Sequence, residues 1–172
     1  MADVSVRPAR PSDAADVARV QLATWQAAYA EVLPAGALAL DVADVTAAWE
    51  QAVGAPPSPH HRVLVALDGQ EVVGFAACEP APDEDLDAPA AELTALLVEP
   101  RWGRRGHGSR LVAAAVDLWR EEAVAQAVTW VFESDAVVAG FLTSAGWGPD
   151  VAGRTLEADG SAVRQRRWHT AL

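Results

Sequence analysis

The chain has 172 residues, of which 51% are hydrophobic and 22% charged, and its net charge is −11. These values are typical of one folded domain with a sizeable core, and the acidic charge argues against nucleic acid as a partner because phosphate binding depends on Lys and Arg. The sequence shows no charge-free apolar run long enough for a membrane helix and no apolar leader of the kind that directs secretion. We therefore expect a cytoplasmic protein with no membrane partner. The single cysteine, Cys78, excludes an internal disulfide.

The first third of the chain predicts one strand and several helices. The strand covers Val4–Arg7, and the helix after it has Ser12 or Asp13 as its N-cap. Segment 33–53 predicts one or two more helices, with Asp44 as a possible N-cap. Three prolines and a glycine then break regular structure before residue 62.

The rest of the chain predicts a hairpin and then alternating strands and helices. Asp68-Gly69 lies between two β-branched runs and predicts the hairpin turn. The later elements are a strand over 91–98, a helix from Gly106 to about Glu122, a strand over 127–132, a helix begun by Ser134 or Asp135 and ended by Gly146, and a closing hairpin around Asp159-Gly160. This order predicts a mixed α/β fold, and no break in composition divides residues 1–172 into more than one domain.

A loop rich in glycine and arginine separates the strand over 91–98 from the helix that follows it. Three glycines and three arginines fall within Arg101–Gly108, although the chain as a whole is acidic. Free amide groups at a helix N-terminus bind phosphate, and arginine adds full positive charge. The spacing is neither that of a P-loop, which needs a lysine, nor that of the dinucleotide fingerprint, which needs a glycine where Leu111 stands. The loop predicts a diphosphate site, and the alternative is a tight turn with solvated arginines.

The stretch "LLVEPRWGRRGHGSRLV", Leu96 to Val112, resembles motif A of the GNAT superfamily of acetyl-CoA-dependent N-acetyltransferases. Pro100, Gly106 and Gly108 fall in register with that motif. The resemblance extends to the first strand and helix, to the hairpin "DGQEVVGFAAC" and to the later helix "SDAVVAGFLTSAGW". It implies the GNAT fold, and acetyl transfer to an amine by direct attack without a covalent enzyme intermediate.

The resemblance also implies which residues contact acetyl-CoA, with no metal involved. The backbone of the glycine loop would hold the diphosphate, the fourth strand would hold the pantetheine arm in a gap beside the strand over 128–132, and an amide near Leu97 or Val98 would polarise the acetyl carbonyl. The predicted cofactor residues are Leu96, Leu97, Val98, Gly103, Arg104, Arg105, Gly106, His107, Gly108, Ser109 and Asp135. We expect the His107 ring to point outward.

Three positions depart from the family's pattern. Gly103 stands where the family has Gln or Arg, so Arg104 and Arg105 would supply the charge. Asp135 stands where the family often has Asn. Leu142 occupies the position of the tyrosine that commonly protonates the departing thiolate, and leucine has no proton to donate.

Candidate catalytic and acceptor residues come from the strands and from the N-terminal helices. An amine with a pKa of about 10.4 is protonated at neutral pH and needs a base. Glu92 is the leading candidate and Glu79 the second, and the alternative is that both carboxylates are solvated. Trp25 and Tyr29, together with Trp49 and Glu31, would form the acceptor pocket, and the alternative is that the aromatic side chains pack in the core.

Several other readings stay open at this point. The acidic side chains Asp83, Glu84, Asp85 and Asp87 would steer a cationic acceptor or form a solvated loop. Rival functions are a CoA-binding module without catalysis and an acyltransferase for a longer acyl group. Family members often pair, so a homodimer is possible. The histidines lack metal-ligand spacing, and we expect no metal site.

Overall fold

The computed structural model describes residues 4–86 and 88–172, so the predicted acidic residue Asp87 lies outside the described residues. The strands are β1 (Val4–Pro8), β2 (Arg62–Asp68), β3 (Glu71–Pro80), β4 (Ala90–Val98), β5 (Gln126–Phe132), β6 (Gly148–Ala158) and β7 (Ser161–Ala171). The helices are α1 (Ala14–Ala28), α2 (Ala35–Leu38), α3 (Val42–Gly54), α4 (His107–Glu121) and α5 (Ala136–Ser144). The predicted mixed α/β fold is confirmed, with each predicted element present.

The seven strands form one sheet in the order β1-β2-β3-β4-β5-β7-β6. All neighbouring strands are antiparallel except β4 and β5, which run parallel. Their pairing covers only Ala90–Glu92 against Gln126–Val128, and the hydroxyl of Thr129 donates a hydrogen bond of 2.7 Å to the carbonyl of Leu93 just beyond it. From there to their carboxyl ends β4 and β5 do not pair with each other, which opens a gap in the middle of the sheet.

The core lies on both faces of this sheet. On one face α4 buries Leu111, Ala115 and Trp119 against the strands and the start of α5. On the other face α1 buries Val17 and Val20. Each of the larger of these side chains contributes about 1.5–3 kcal/mol, so the helices hold the two halves of the sheet together although β4 and β5 separate.

The helix ends differ in part from the prediction. Asp41, and not Asp44, caps α3 by accepting a hydrogen bond of 2.7 Å from the amide of Ala43. Asp13 precedes α1 but its carboxylate instead accepts from the amide of Arg10 at 2.7 Å and pairs with the Arg7 guanidinium. The side chains of Asp44 and Asp13 therefore do not cap the helices as predicted, because the backbone conformation before a helix decides which side chain can reach its free amides.

The acidic loop between β3 and β4 is tied to the sheet and is not simply solvated. Arg167 on β7 is 2% exposed, and its guanidinium pairs with Asp83 at 3.1 Å, Asp85 at 2.5 Å and Asp150 at 2.7 Å. Hydrogen bonds to these carboxylates raise the pKa of Arg167 and keep it charged. Two of the predicted steering charges, Asp83 and Asp85, therefore share one internal positive charge with Asp150.

Membrane insertion by a helix finds no support in the described ranges 4–86 and 88–172. None of the helices there is both long enough and apolar enough to cross a bilayer.

Candidate active site

The loop between β4 and α4 presents a row of free backbone amides. Gly106 precedes α4 with φ of +81° and no side chain caps this helix. Within the described part of the chain, the amides from Arg104 to Ser109 donate no hydrogen bond to another protein group. Uncapped amides at the head of a fifteen-residue helix carry partial positive charge, so the loop retains its capacity for an anion.

Two side chains hold this loop in shape. Arg110 on the first turn of α4 donates a hydrogen bond of 3.0 Å to the carbonyl of Arg105, and its guanidinium would lie 3.1 Å from a Cβ at Gly106. The Arg105 guanidinium stacks on the Trp102 ring at 4.7 Å. These contacts fix the backbone while leaving the amides free, and they concentrate positive charge beside them.

Arg104 adopts a backbone conformation that a side chain disfavours, with φ of +62°. A left-handed residue other than glycine costs roughly 1–2 kcal/mol. We expect Arg104→Gly to raise the unfolding midpoint temperature because this cost disappears. The same change should weaken CoA binding about tenfold, since one charge-assisted contact is lost. Thermal unfolding and calorimetric titration of the parent and the variant measure these opposite effects. A fall in both the unfolding midpoint temperature and the affinity for CoA would contradict the assignment of strain.

His107 points inward, which corrects the expectation of an outward ring. The residue is 2% exposed, its ring lies edge-on to Trp102 at 6.3 Å, and its Nε2 is 3.6 Å from a carboxylate oxygen of Asp68. Neither ring nitrogen has a hydrogen-bond partner within the described residues. Burial is the main reason that the pKa of His107 is lowered, so the ring is neutral at pH 7 and serves as packing under the loop.

A cavity of about 680 Å³ runs from this loop to the gap between β4 and β5. Its volume is within the range of cofactor sites. The predicted cofactor residues that line it are Leu96, Leu97, Val98, Gly103, Arg104, Gly106, His107, Gly108, Ser109 and Asp135. Arg105 is exposed outside the lining, where it stacks on Trp102. Nine of these ten residues lie between Leu96 and Ser109 in the sequence, and the fold brings Asp135 to the same cavity.

A second cavity of about 350 Å³ lies on the α1 and α3 side of the same gap. Its lining includes Trp25, Tyr29 and Trp49, the aromatic residues that the sequence predicts for an acceptor pocket. Glu31 is exposed in the turn after α1 and lines neither cavity. The structure therefore groups the aromatic residues and leaves the carboxylate apart.

The two cavities share a wall formed by Tyr29, Leu96, Leu97, Asp135 and Val138. The Tyr29 hydroxyl donates a hydrogen bond of 2.7 Å to one carboxylate oxygen of Asp135. The other oxygen accepts from the amide of Val138 at 2.9 Å and caps α5. Burial and this carboxylate raise the pKa of Tyr29 well above its usual value. Tyr29 and Asp135 are the two polar side chains of the shared wall.

Leu142 faces away from both cavities. It is 1% exposed and packs in the core cluster beneath α4 and α5. The helix is therefore oriented so that this position meets the core.

The two predicted bases lie outside both cavities. Glu92 is 6% exposed, and burial raises its pKa, which the nearby Arg154 partly offsets. Glu79 is paired with Glu92 across β3 and β4 and lines a separate cavity near His60 and Glu122. Neither carboxylate is among the lining residues of the two cavities that meet at the gap.

Several lining residues were missed at the sequence level. Phe141 and Val138 come from the buried stripe of α5, and Trp102 from the turn after β4. Arg110 braces the loop from one turn into α4. The four-residue spacing of Gly106 and Arg110 was the available signal, since residues four apart lie on one face of a helix.

The fold and the site together define a domain with free amides that can hold an anion, beside a gap in a mixed sheet at which two cavities meet. A family model described as "Acetyltransferase (GNAT) family" matches residues 23–147. The chain belongs to the GNAT family and is an N-acetyltransferase of that family. The resemblance seen in motif A is thereby confirmed.

Relatives of known structure share this fold over nearly the whole chain. PaiA N-acetyltransferase of Thermoplasma acidophilum, solved in complex with coenzyme A, is 15% identical with a TM-score of 0.73, and the match covers 99% of each chain. The putative acetyltransferase YncA of Salmonella typhimurium, solved with acetyl-CoA, is 17% identical with a TM-score of 0.71 over 98% of this chain and 93% of that one. The ribosomal-protein-alanine N-acetyltransferase of Brucella melitensis is 20% identical with a TM-score of 0.74, covering 98% and 99%.

One characterised sequence shares a shorter segment. The mycothiol acetyltransferase of Rhodococcus erythropolis is 43% identical over 56 residues, which span 33% of this chain and 17% of that protein. Its activity as a whole is therefore not carried over to this chain.

Proposed function

We propose that this protein transfers the acetyl group of acetyl-CoA directly to a primary amine. The observation that carries the proposal is the meeting of a cofactor-sized cavity and a smaller cavity at the unpaired ends of β4 and β5. A thioester held in the first cavity would present its carbonyl to a nucleophile in the second. Support for the cofactor comes from the uncapped amides of the loop and from the coenzyme A and acetyl-CoA bound in two of the similar structures.

The residues that would hold acetyl-CoA fit its chemistry. The amides of Arg104–Ser109 would bind the diphosphate, each bond being worth about 1.5–3 kcal/mol. The main chain of Leu96–Val98 would bind the pantetheine arm. Of the two amides considered for the acetyl carbonyl, alternation of the antiparallel ladder favours Val98, because Leu97 is paired with Phe75 and Glu99 donates to the Val73 carbonyl. The Val98 amide is then directed towards the gap.

Proton transfer to the leaving thiolate would be carried out by Tyr29 and Asp135. Acetyl-CoA supplies the thioester, and its sulfur must gain a proton as the C–S bond breaks. A phenol of pKa about 10 or above is a weak acid towards a thiolate whose conjugate acid has a pKa of about 8.5. Asp135 removes this difficulty: its carboxylate takes a proton from the attacking nitrogen and returns it to Tyr29 as Tyr29 donates its own to sulfur. The proton lost by the attacking nitrogen thus ends on the CoA sulfur, and both Tyr29 and Asp135 return to their starting protonation states.

Glu92 is proposed as the base for the first of two protons: from outside both cavities it would deprotonate the incoming ammonium through water, before Asp135 takes the second proton from the nitrogen that has attacked. We expect Glu92→Gln to reduce kcat/KM on the order of 100-fold at pH 7 and to recover partly at higher pH, where the free amine is more abundant. Because burial raises the pKa of Glu92, ionisation of this carboxyl destabilises the fold above its unfolded pKa of about 4.3. The variant should therefore have the higher melting temperature at pH 7, with no difference at pH 4. Unchanged kcat/KM would leave Glu92 with a purely structural role, and Glu79→Gln is the matched control on the neighbouring strand.

The proposed function is tested by release of CoA thiol from acetyl-CoA with a panel of amines, beside calorimetric titration of acetyl-CoA. Amine-dependent thiol release is the expected result. Binding of acetyl-CoA without turnover would favour a CoA-binding module that lacks catalysis, the alternative that Leu142 motivates. Faster turnover of propionyl- or succinyl-CoA would instead indicate an acyltransferase for longer groups.

A further inference from the structure

The acceptor cavity contains more than half of the aromatic side chains of the chain. The sequence has seven Trp, three Phe and one Tyr. Those that line the cavity are Trp25, Tyr29, Trp49, Phe75, Trp130 and Phe132. Rings from α1, α3, β3 and β5 thus converge on one small volume, which is a much higher local density than the composition predicts.

The rings form apolar walls and do not form a cage of open faces. Trp49 meets Phe75 edge-to-face with centroids 5.0 Å apart, and Tyr29 meets Phe132 in the same manner at 5.1 Å. Each pair uses part of its π surface internally. A ligand placed between the pairs would meet ring edges and faces suited to an aromatic or branched apolar group.

The polar lining groups are already engaged with the protein. The Gln21 side-chain oxygen accepts from Trp49 Nε1 at 2.7 Å, and that of Gln165 accepts from Arg154 at 2.7 Å. The hydroxyls of Thr94 and Thr129 donate to backbone carbonyls. The two glutamine oxygens and the two hydroxyl protons are therefore occupied, while the side-chain nitrogens of Gln21 and Gln165 donate to no protein group within the described residues and remain as neutral donors, which cannot pair with a second ammonium.

Asp135 supplies the carboxylate of the cavity: among the lining residues in the described part of the chain it is the one acidic side chain, and it lies in the wall shared with the cofactor cavity. A positive charge borders the lining residues Trp130 and Gln165, because the Arg154 guanidinium lies 4.3 Å from the Trp130 ring and donates to Gln165. An amine placed beside Asp135 would be next to the thioester, while the rest of the acceptor would extend among the rings. A second ammonium group there would be desolvated without a partner, which is unfavourable.

We propose that the acceptor is a small primary monoamine with an aromatic or branched apolar body. This inference rests on the proposed function and names its substrate class. The cavity volume of about 350 Å³ is at the lower end of small-molecule sites and suits one ring system on a short chain. Diamines, polyamines, free amino acids and protein N-termini are poor matches, because each brings a further charge or a bulky polar chain to the apolar walls.

The inference is tested by comparing kcat/KM for 2-phenylethylamine and tryptamine with that for 1,4-diaminobutane, spermidine, phenylalanine and a short peptide with a free N-terminus. We expect the aromatic monoamines to exceed every other acceptor on the order of 100-fold. A diamine, an amino acid or the peptide as the best acceptor would overturn the inference and leave amine acetylation intact.

A variant connects this preference to the cavity. Ala95 lines the acceptor cavity, so Ala95→Leu should fill it, raise KM for 2-phenylethylamine at least tenfold and leave the Kd of CoA unchanged. Ala47→Leu on the exposed face of α3 is the control. Equal effects of the two variants on KM would place the acceptor elsewhere.

Binding without turnover separates this inference from the proposed function. Calorimetric titration of 2-phenylethylamine into the protein saturated with CoA should give a binding isotherm that Ala95→Leu weakens. Such binding in a protein that releases no thiol with any amine would uphold the apolar monoamine site and contradict acetyl transfer. The absence of both binding and turnover with the aromatic amines would overturn the inference.

Discussion

Gly106→Val is expected to abolish measurable CoA binding while the protein remains folded. Gly106 has φ of +81°, a conformation that a β-branched residue resists, and an added Cβ would lie 3.1 Å from the Arg110 guanidinium. The loop would have to change its path, so that two or more of its amides no longer face the diphosphate. Loss of two charge-assisted bonds of about 1.5 kcal/mol each reduces affinity at least about 100-fold. Calorimetric titration with CoA measures this loss.

Gly69→Val is the matched control for backbone strain. Gly69 also has a positive φ, of +62°, and a Cβ there would meet nothing within 4 Å. It lies in the turn between β2 and β3 and lines neither cavity. Both variants should melt at lower temperature than the parent, but only Gly106→Val should lose CoA. Retained affinity in a folded Gly106→Val protein would remove the loop from the proposed cofactor site.

Tyr29→Phe is expected to reduce kcat at least about 100-fold with little change in the Kd of CoA. The substitution keeps the ring against Phe132 and removes the hydroxyl that donates to Asp135. Loss of a general acid typically slows a reaction by 10²–10⁴-fold. Steady-state kinetics with the best amine, together with calorimetric titration of CoA, separates the effect on kcat from an effect on binding. A kcat within threefold of the parent would contradict the relay.

Asp135→Asn tests the second member of the pair. Asparagine is a good N-cap, so α5 should persist while the proton acceptor is lost. If the two groups act as one relay, the double variant should be no slower than the slower single variant. If the reductions in kcat of the two single variants multiply in the double variant, Tyr29 and Asp135 have independent roles.

Tyr29 also offers a direct spectroscopic readout, because it is the one tyrosine in the sequence. A ¹³C-labelled tyrosine would give a single resonance that reports its ionisation. Burial and Asp135 raise the pKa of Tyr29, so the phenol should stay protonated through pH 10, and Asp135→Asn should lower this pKa. A phenol that titrates at the usual value of about 10 would show that the buried pair does not form.

The predictable parts of the site were those coded by neighbouring residues. The glycine loop and the helix after it follow from the spacing of Gly106 and Gly108, and the free amides follow from the absence of a capping side chain before His107. The aromatic residues Trp25, Tyr29 and Trp49 were also singled out, because the N-terminal helices flank the acceptor cleft in the family that the sequence resembles. The roles of these residues in catalysis and acceptor binding remain predictions.

The orientation of individual side chains was the part that could not be predicted. His107 was expected outside and lies inside, because packing against Trp102 and β2 decides the rotation of the first turn of α4. The acidic residues Asp83 and Asp85 meet Arg167, which is eighty residues away along the chain. The partner of Tyr29, Asp135, is equally remote. No local pattern encodes such contacts.

The sequence by itself determined the order of strands and helices, the glycine loop with its unsatisfied amides, and membership of an acetyltransferase family. The first two features depend on hydrophobic periodicity, turn residues and backbone freedom, which act over a few residues, and family membership was indicated by the resemblance of Leu96–Val112 to motif A. Only the tertiary structure decided that β4 and β5 part after three residue pairs, that two cavities meet at that gap, and that Tyr29 lines both cavities while Leu142 lies in the core. Those features depend on how helices pack across the sheet, and packing between distant segments is not written in any one of them.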